Sequence, residues 1–255
     1  MKLATWNVNS IRARHAALFA WLARVEPDVL CMQETKVVDD DFPTDEFLRM
    51  GYAVAMAGQK TYNGVAIASR LPMSDVRVGL HDETDPKDKR LIRAKIDGVV
   101  VYSAYVPNGK SVESPSFREK LGFFARLRET LERETSPDAP AVVCGDFNVA
   151  PDDRDVYDPD ALRGQLHFSD AEHAALADLK RFGLVDLFRE KHDEGGLYSW
   201  WDYRGGGFHR NLGLRIDLLL ATRPLAARCS SADIDVEPRH ADKPSDHTPV
   251  VATFA

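Results

Sequence analysis

The chain has 255 residues, 44% hydrophobic and 29% charged, with a formal net charge of −7. That length fits one large domain or two small ones, and the apolar content is enough for a sizeable core. No stretch is long and apolar enough to span a bilayer, and on charge alone the acid excess argues against nucleic acid, which most binders meet with a basic surface.

The N-terminus lacks the basic and apolar blocks of a signal peptide and reads as a first strand over 2–6, ending at Asn7. Ser10 is placed to cap a helix through Ile11, Leu18 and Leu22 that stops before Pro27. A strand over 29–33 ends at Gln33-Glu34, and further strands are predicted over 52–57, 65–69, 91–96 and 99–105. The last of these delivers Tyr105 to a turn made by Pro107, Asn108 and Gly109. Ser114 and Pro115 open a second helix through Phe117, Leu121, Phe124, Leu127 and Leu131.

A strand over 141–145 runs into Gly145-Asp146-Phe147-Asn148, and the capping-box pattern Ser169-Asp170-Ala171-Glu172 starts a third helix through Leu176 and Leu179. Strands over 216–221, 229–236 and 249–254 complete the chain. Asp217 lies inside the first, and Ser245-Asp246-His247 precedes the last. Several runs are almost continuously apolar, as in strands covered on both faces. Strands outnumber helices and no linker interrupts them, so the expected architecture is a single α/β domain over 1–255, a sheet sandwich with helices on its outer faces. The three cysteines, Cys31, Cys144 and Cys229, are odd in number and far apart. They suit reduced core thiols of a cytoplasmic protein, with no disulfide frame and no zinc spacing.

The polar motifs carry the chemistry. An unpaired carboxylate in apolar surroundings costs several kcal/mol or loses its charge. Acids gathered at strand ends therefore suggest a metal, and His, Asn and Tyr gathered with them suggest phosphate chemistry. On an extended backbone Asp146 and Asn148 would share a side, the carboxylate binding a metal or taking a proton from water and the amide fixing that water. The bland alternative is a turn. Glu34 suits a hard cation, which takes one or two carboxylates plus waters and substrate phosphate; by itself it reads more readily as a solvated loop acid. His247 could meet a phosphate as imidazolium if a carboxylate holds it charged, and Asp217 is the natural partner. Ser199-Trp200-Trp201-Asp202-Tyr203-Arg204 suits stacking on sugars or bases, with core packing expected for one tryptophan. Two basic stretches, Lys87, Lys89, Arg90 and Arg93, and Arg204, His209, Arg210 and Arg215, read as solvated surface charge.

Taken together, Thr5-Trp6-Asn7-Val8-Asn9-Ser10-Ile11-Arg12, Gln33-Glu34, Lys60 to Ala66, Gly145-Asp146-Phe147-Asn148, Trp200 to Arg204, Leu214-Arg215-Ile216-Asp217 and Ser245-Asp246-His247 resemble the exonuclease III family of DNA repair nucleases, within the DNase I-like fold. The resemblance covers essentially the whole chain and implies a four-layered sandwich of two packed mixed sheets flanked by helices. It implies Mg2+ (Mn2+ as substitute) held mainly by Glu34 with Asn7 and Asp246. Asp146 and Asn148 would handle the attacking water or hold a second metal, Asp217 would orient His247 on the phosphate, and Tyr105 would bind the phosphate or assist the leaving oxygen. Asn108 and Arg90 would hold the DNA backbone, with Trp200, Leu214 and Ile216 lining a pocket for an extruded abasic sugar. The partner implied is duplex DNA with 3′ ends, 3′ blocks or abasic sites, met by a monomer. One departure stands out: His167 occupies a position where abasic endonucleases of this family usually carry a small residue. An imidazole there would crowd an internal abasic site and favour 3′-end processing. The competing readings are a phosphodiesterase of the same fold acting on inositol phosphates or lipid, and a non-catalytic nucleic-acid-binding regulator.

Overall fold

The apolar runs pair into two six-stranded sheets that face each other across one core. In this computed structural model, which describes residues 1–84 and 86–255, sheet one contains β1 (Lys2–Asn7), β2 (Val29–Gln33), β3 (Ala53–Ala57), β4 (Val65–Ser69), β13 (Cys229–Ile234) and β14 (Val250–Phe254), ordered β13-β14-β1-β2-β4-β3. Sheet two contains β5 (Met73–Val78), β6 (Leu91–Ile96), β7 (Val99–Tyr105), β8 (Ala141–Asp146), β9 (Leu184–Asp186) and β12 (Asp217–Thr222), ordered β5-β6-β7-β8-β12-β9. A short ribbon joins β10 (Trp200–Trp201) to β11 (Gly213–Leu214). The pairs β1–β2 and β7–β8 are parallel and their neighbours antiparallel, so both sheets are mixed.

Helices cover the outer faces. Leu18, Trp21 and Leu22 of α1 (His15–Val25) and Phe47 of α2 (Thr44–Arg49) pack on Ala4, Trp6, Leu30 and Met32 of sheet one. Phe124, Leu127 and Leu131 of α3 (Pro115–Glu134), with Leu176 and Leu179 of α5 (Asp170–Lys180), pack on Tyr102, Val143 and Leu220 of sheet two. Burying each such Leu or Phe is worth about 1.5–3 kcal/mol, so a charge at Leu127 would unseat α3. The single-turn helices α4 (Pro159–Leu162) and α6 (Arg223–Ala226) complete the helices. The four-layered sandwich expected from the sequence is the one observed. Among the described residues, no helix is long and apolar enough to cross a membrane, and all three cysteines are buried and free.

The capping expectations hold at two of three helices. Ser114 accepts the Phe117 N–H, and Ser169 and Glu172 form a reciprocal capping box. The first helix is a correction: α1 starts at His15, and Ser10 has a left-handed φ of 83° instead of capping it. The Ser10 N–H donates to Glu34 O at 2.7 Å and the Ile11 N–H to Thr35 O at 3.1 Å, so tertiary bonds hold this segment as a loop. The edge strand β5 escaped prediction because half of its residues are polar and most are exposed, and β9 to β11 are too short to show a period. The basic stretches need a second correction. Arg93 and Arg215 are not solvated: they are 4% and 0% exposed, each held between two carboxylates.

Strand register sets the site. Tyr105 pairs with Asp146 across β7–β8, and Asp217 pairs with the same Asp146 across β8–β12. In the facing sheet Asn7 lies beside Gln33, next to Glu34. Close approach of β7 and β8 depends on Gly145, at φ 141°, because a Cβ there would meet Ala104 O at 1.9 Å.

Candidate active site

At one end of the sandwich the strand termini converge on Asp146. Its Oδ1 accepts the Asn148 N–H at 2.9 Å and its Oδ2 accepts from Asn7 Nδ2 at 2.9 Å. Asn7 Nδ2 also donates to Glu34 Oε1 at 2.8 Å, while Asn7 Oδ1 accepts the Asn9 N–H at 3.0 Å. Asn7 is therefore a bridge that holds two carboxylates together. His247 Nδ1 lies 2.9 Å from Asp217 Oδ2, and its Nε2 faces Asp146 Oδ2 at 3.7 Å. Ser199 fixes Asp217 by donating to Oδ2 at 2.7 Å while accepting its backbone N–H at 3.0 Å.

The ends of these strands turn through strained backbone. Glu34, Lys36, Asn148 and His167 all have φ between 51° and 73°, a left-handed region that non-glycine residues occupy only when the surroundings enforce it. Asn148 consequently meets Asp146 through a turn and not on an extended strand. Its Nδ2 donates to Val106 O at 3.0 Å, and its Oδ1 accepts from Asn108 Nδ2 at 3.2 Å.

Crowding shapes the electrostatics. Burial pushes the Asp146 carboxyl up to about 7; His247 opposes this, while Asp217 and Glu34 add to it. Burial works against the His247 imidazolium, but Asp217 and then Asp146 raise it to about 10, so it stays charged. Burial, followed by the charges of Glu34 and Asp146, holds the Tyr105 phenol well above its ordinary range, leaving it a proton donor. The Arg90 guanidinium sits 4.8 Å from the centre of the Tyr105 ring.

Glu34, Asp146 and His247 each offer one ligand atom, and these atoms lie within 4.8 Å of one another. Carboxylate oxygens this close, one of them with its pKa pushed upward, fit a hard cation that would relieve their repulsion. Asp246 stands one link away: it accepts from Asn9 Nδ2 at 2.8 Å, and Asn9 Oδ1 in turn accepts from Lys36 Nζ at 2.6 Å. Lys36 also pairs with Glu34 at 2.8 Å. Sequence reasoning missed Asn9, Lys36 and Ser199. The first two lie within two residues of singled-out positions, but only the left-handed turns at Asn9, Glu34 and Lys36 bring them together.

Beside this cluster lies a pocket of about 370 Å³ lined by His167, Trp200, Leu162, Leu166, Leu214 and Arg210 among others. Trp200 Nε1 donates to Asp246 Oδ2 at 3.0 Å, which ties the pocket wall to the acids. Trp201 is the tryptophan that joins the core, at 2% exposure. Ile216 packs behind the wall with Leu214 and Phe168 and does not line it. His167 lies in the pocket, not on the outer surface. Its Nδ1 is 2.6 Å from Asn148 O, its Nε2 is 3.5 Å from Asn108 Nδ2, and its ring is 6.4 Å from that of Trp200. Burial, reinforced by the Lys120 charge, lowers its pKa to about 4.

Beneath these loops sits another pair that the sequence did not flag. Lys120 Nζ donates to Asn148 O at 2.6 Å and Asn108 O at 3.1 Å and pairs with Glu172. Glu172 accepts the His167 N–H at 3.0 Å, so one buried ion pair clamps three site loops.

Comparisons with known proteins agree with this fold. The model of the Endonuclease/Exonuclease/phosphatase family matches residues 4–247. Exodeoxyribonuclease III of Haemophilus influenzae is 35% identical, with full coverage of both chains. The structure of an AP endonuclease from Archaeoglobus fulgidus superimposes with a TM-score of 0.95 at 44% identity, covering 100% of this chain and 99% of that one. A 3′ phosphatase from Neisseria, bound to a product DNA hairpin, gives 0.96 at 41% identity with the same coverage. With its strand-end acids, its Asp–His pair and its sandwich all accounted for, this chain belongs to the endonuclease/exonuclease/phosphatase family.

Proposed function

We propose that this chain is a divalent-cation-dependent DNA repair phosphodiesterase that removes nucleotides and blocking groups from the 3′ ends of duplex DNA and also incises abasic sites. The observation that carries the reading is the row Glu34, Asp146, His247 and Asp217 beside the His167–Trp200 pocket. The similarity to an exodeoxyribonuclease III, an AP endonuclease and a 3′ phosphatase supports the same chemistry.

In this mechanism the scissile phosphate lies over Asp146 and His247, and water attacks phosphorus in line with the departing 3′ oxygen. Asp146 takes the proton of that water, a task suited to a carboxyl raised to about 7. Asn148, fixed by Val106 and Asn108, orients the water. His247, kept charged by Asp217, contacts a phosphate oxygen, and the protonated Tyr105 donates to the phosphate. Glu34, with Asn7, Asp246, Asp146 and Asn148 as further candidates, would hold Mg2+, or Mn2+ in its place, which when bound offsets negative charge on the phosphate and leaving group. Asn108 and Arg90 hold the backbone, and Trp200 and Leu214 line the space for the terminal or extruded sugar. The products are a 3′ hydroxyl and a 5′ phosphate when a phosphodiester is cut, and a 3′ hydroxyl and inorganic phosphate when a 3′ phosphate is removed.

His167 decides between the activities. Its ring narrows the pocket opposite Trp200, which crowds an internal abasic nucleotide while leaving a free 3′ terminus room to enter. The deciding experiment is a side-by-side panel of duplexes with 3′-hydroxyl, 3′-phosphate and blocked 3′ termini and one internal abasic analogue. Faster release from 3′ ends than abasic incision is expected, with His167→Gly improving incision. Equal rates on both classes, or no gain in the variant, would sink the preference for 3′ ends.

A further inference from the structure

The loop over 202–211, which closes one side of the sugar pocket, also closes a second groove of about 320 Å³, and the two cavities share Asp202 and Gly207. Arg239 lines this groove and is 7% exposed. Its guanidinium lies 5.0–5.8 Å from the ring centres of Phe208, Trp201 and Tyr203. It donates to the Ser245 carbonyl, and its Nε has no partner. Among the described residues Arg239 makes no ion pair, whereas Arg215 and Arg93, likewise buried, each hold two carboxylates.

A second arginine reinforces the imbalance. Arg14 donates to Tyr203 Oη at 2.5 Å and to Pro244 O at 3.2 Å, and Tyr203 and Pro244 both line the groove. Arg14 also makes no ion pair among the described residues, and its Nε is unpartnered. Burial lowers the Arg239 pKa and the Arg14 charge lowers it further, against the pull of Tyr203 and Asp246. Exposed His209 and His240 line the same groove, each ring packed against Phe208. The acid at its edge, Asp202, is already engaged by Arg204 at 2.7 Å.

A buried cation without a carboxylate is costly, and aromatic faces offset only part of that cost. The planar fork of a guanidinium matches a phosphate, and imidazole N–H groups can add to the grip. We propose that this groove is a second phosphate-binding site, taking a backbone phosphodiester of the same duplex whose scissile phosphate lies at Asp146 and His247. It deepens the functional reading above and rests on it: the groove holds the duplex on the outer side of the loop while the 3′ terminus occupies the pocket on the inner side.

The test compares wild type with a triple variant, Arg14→Gln, His209→Ala and His240→Ala, and with Arg239→Lys. Fluorescence anisotropy measures affinity across a salt series for a long 3′-blocked duplex and for a short hairpin that ends at the pocket. For the long duplex the triple variant should bind about tenfold more weakly at low salt, with a salt slope smaller by about 0.9 for each phosphate that it no longer neutralises. Hairpin binding and kcat at saturating DNA should stay unchanged. Arg239→Lys keeps the charge but loses the fork and should fall between the two. An unchanged affinity and slope, or equal losses on both substrates, would overturn the proposal. The triple variant removes no fully buried side chain, so the test stands even if Arg239→Lys fails to fold. If wild-type protein cleaves no duplex with any divalent ion, the functional reading itself fails, whereas normal cleavage with an unchanged salt slope fails the groove alone.

Discussion

Two buried ionic clusters in this molecule differ in one respect. Around Arg215 the charges balance: Arg215 and Arg189 face Asp155 and Asp186, with Arg215 and Asp155 fully buried. Around Asp146 they do not: among the described residues, Glu34, Asp146, Asp217 and Asp246 make ion pairs only with Lys36 and the His247 imidazolium. The first cluster is complete and ties the chain around residue 155 to β9 and β12. The second is short of two positive charges when its acids are ionised, the charge of one divalent cation. Buried charge in this protein is structural where it is balanced and reactive where it is not.

The comparison is broken most sharply by Asp146→Asn, which keeps the shape and removes the base. Turnover on 3′-phosphate duplex should fall by about 10³–10⁴-fold, while binding of the same duplex remains measurable by anisotropy. Arg215→Met should do the reverse. Leaving Asp186 buried without its cation, and Asp155 with Arg189 alone, costs about 3–5 kcal/mol in urea unfolding, and the midpoint of a divalent-ion titration should not move. Adding Mg2+ at about 100 times its Kd should stabilise wild type by about 2.7 kcal/mol, an effect that Arg215→Met retains and Asp146→Asn weakens.

The most directional effect is on pH. Asp146 is raised from 3.8 to about 7, so without metal the folded protein keeps a proton that the unfolded chain has shed, and stability falls as pH rises across that window. His247 is raised from 6.5 to about 10, so its contribution is complete below 6.5 and is lost towards 10. Melts of metal-free protein should show both slopes, and Asp146→Asn should flatten the lower one and draw the end of the upper one to lower pH, because Asp146 also raises His247.

Much of the site was legible because its residues stand at strand ends, where an acid after an apolar run has no other obvious use. Asp146 was read that way, Asp217 as an acid inside an apolar strand and His247 as its partner ahead of the last strand, and the structure gathers all three. What stayed hidden depends on interactions between distant segments. Arg215 read as surface charge because Asp155 and Asp186 lie 60 and 29 residues away. The Lys120–Glu172 pair spans 52 residues and leaves no local pattern beyond a helix cap. The first helix was placed too early because the Ser10 pattern is a sound local signal that hydrogen bonds to Glu34 and Thr35 override. The dihedrals of Glu34 and Asn148 were equally out of reach, since nothing in residue type alone demands a left-handed turn there.

The strand β14 lies in the interior of its sheet, between β13 and β1, directly after the segment carrying Asp246 and His247. β1, which ends at Asn7, pairs with β2 on one side and with the far more distant β14 on the other. Without β14 the edges of β1 and β13 would both lie open, and the segment carrying Asp246 and His247 would lose the strand that anchors it. Docking of β14 thus makes closure of the sheet and placement of the Asp246–His247 segment one event, so a lesion that frees this strand would loosen fold and site together.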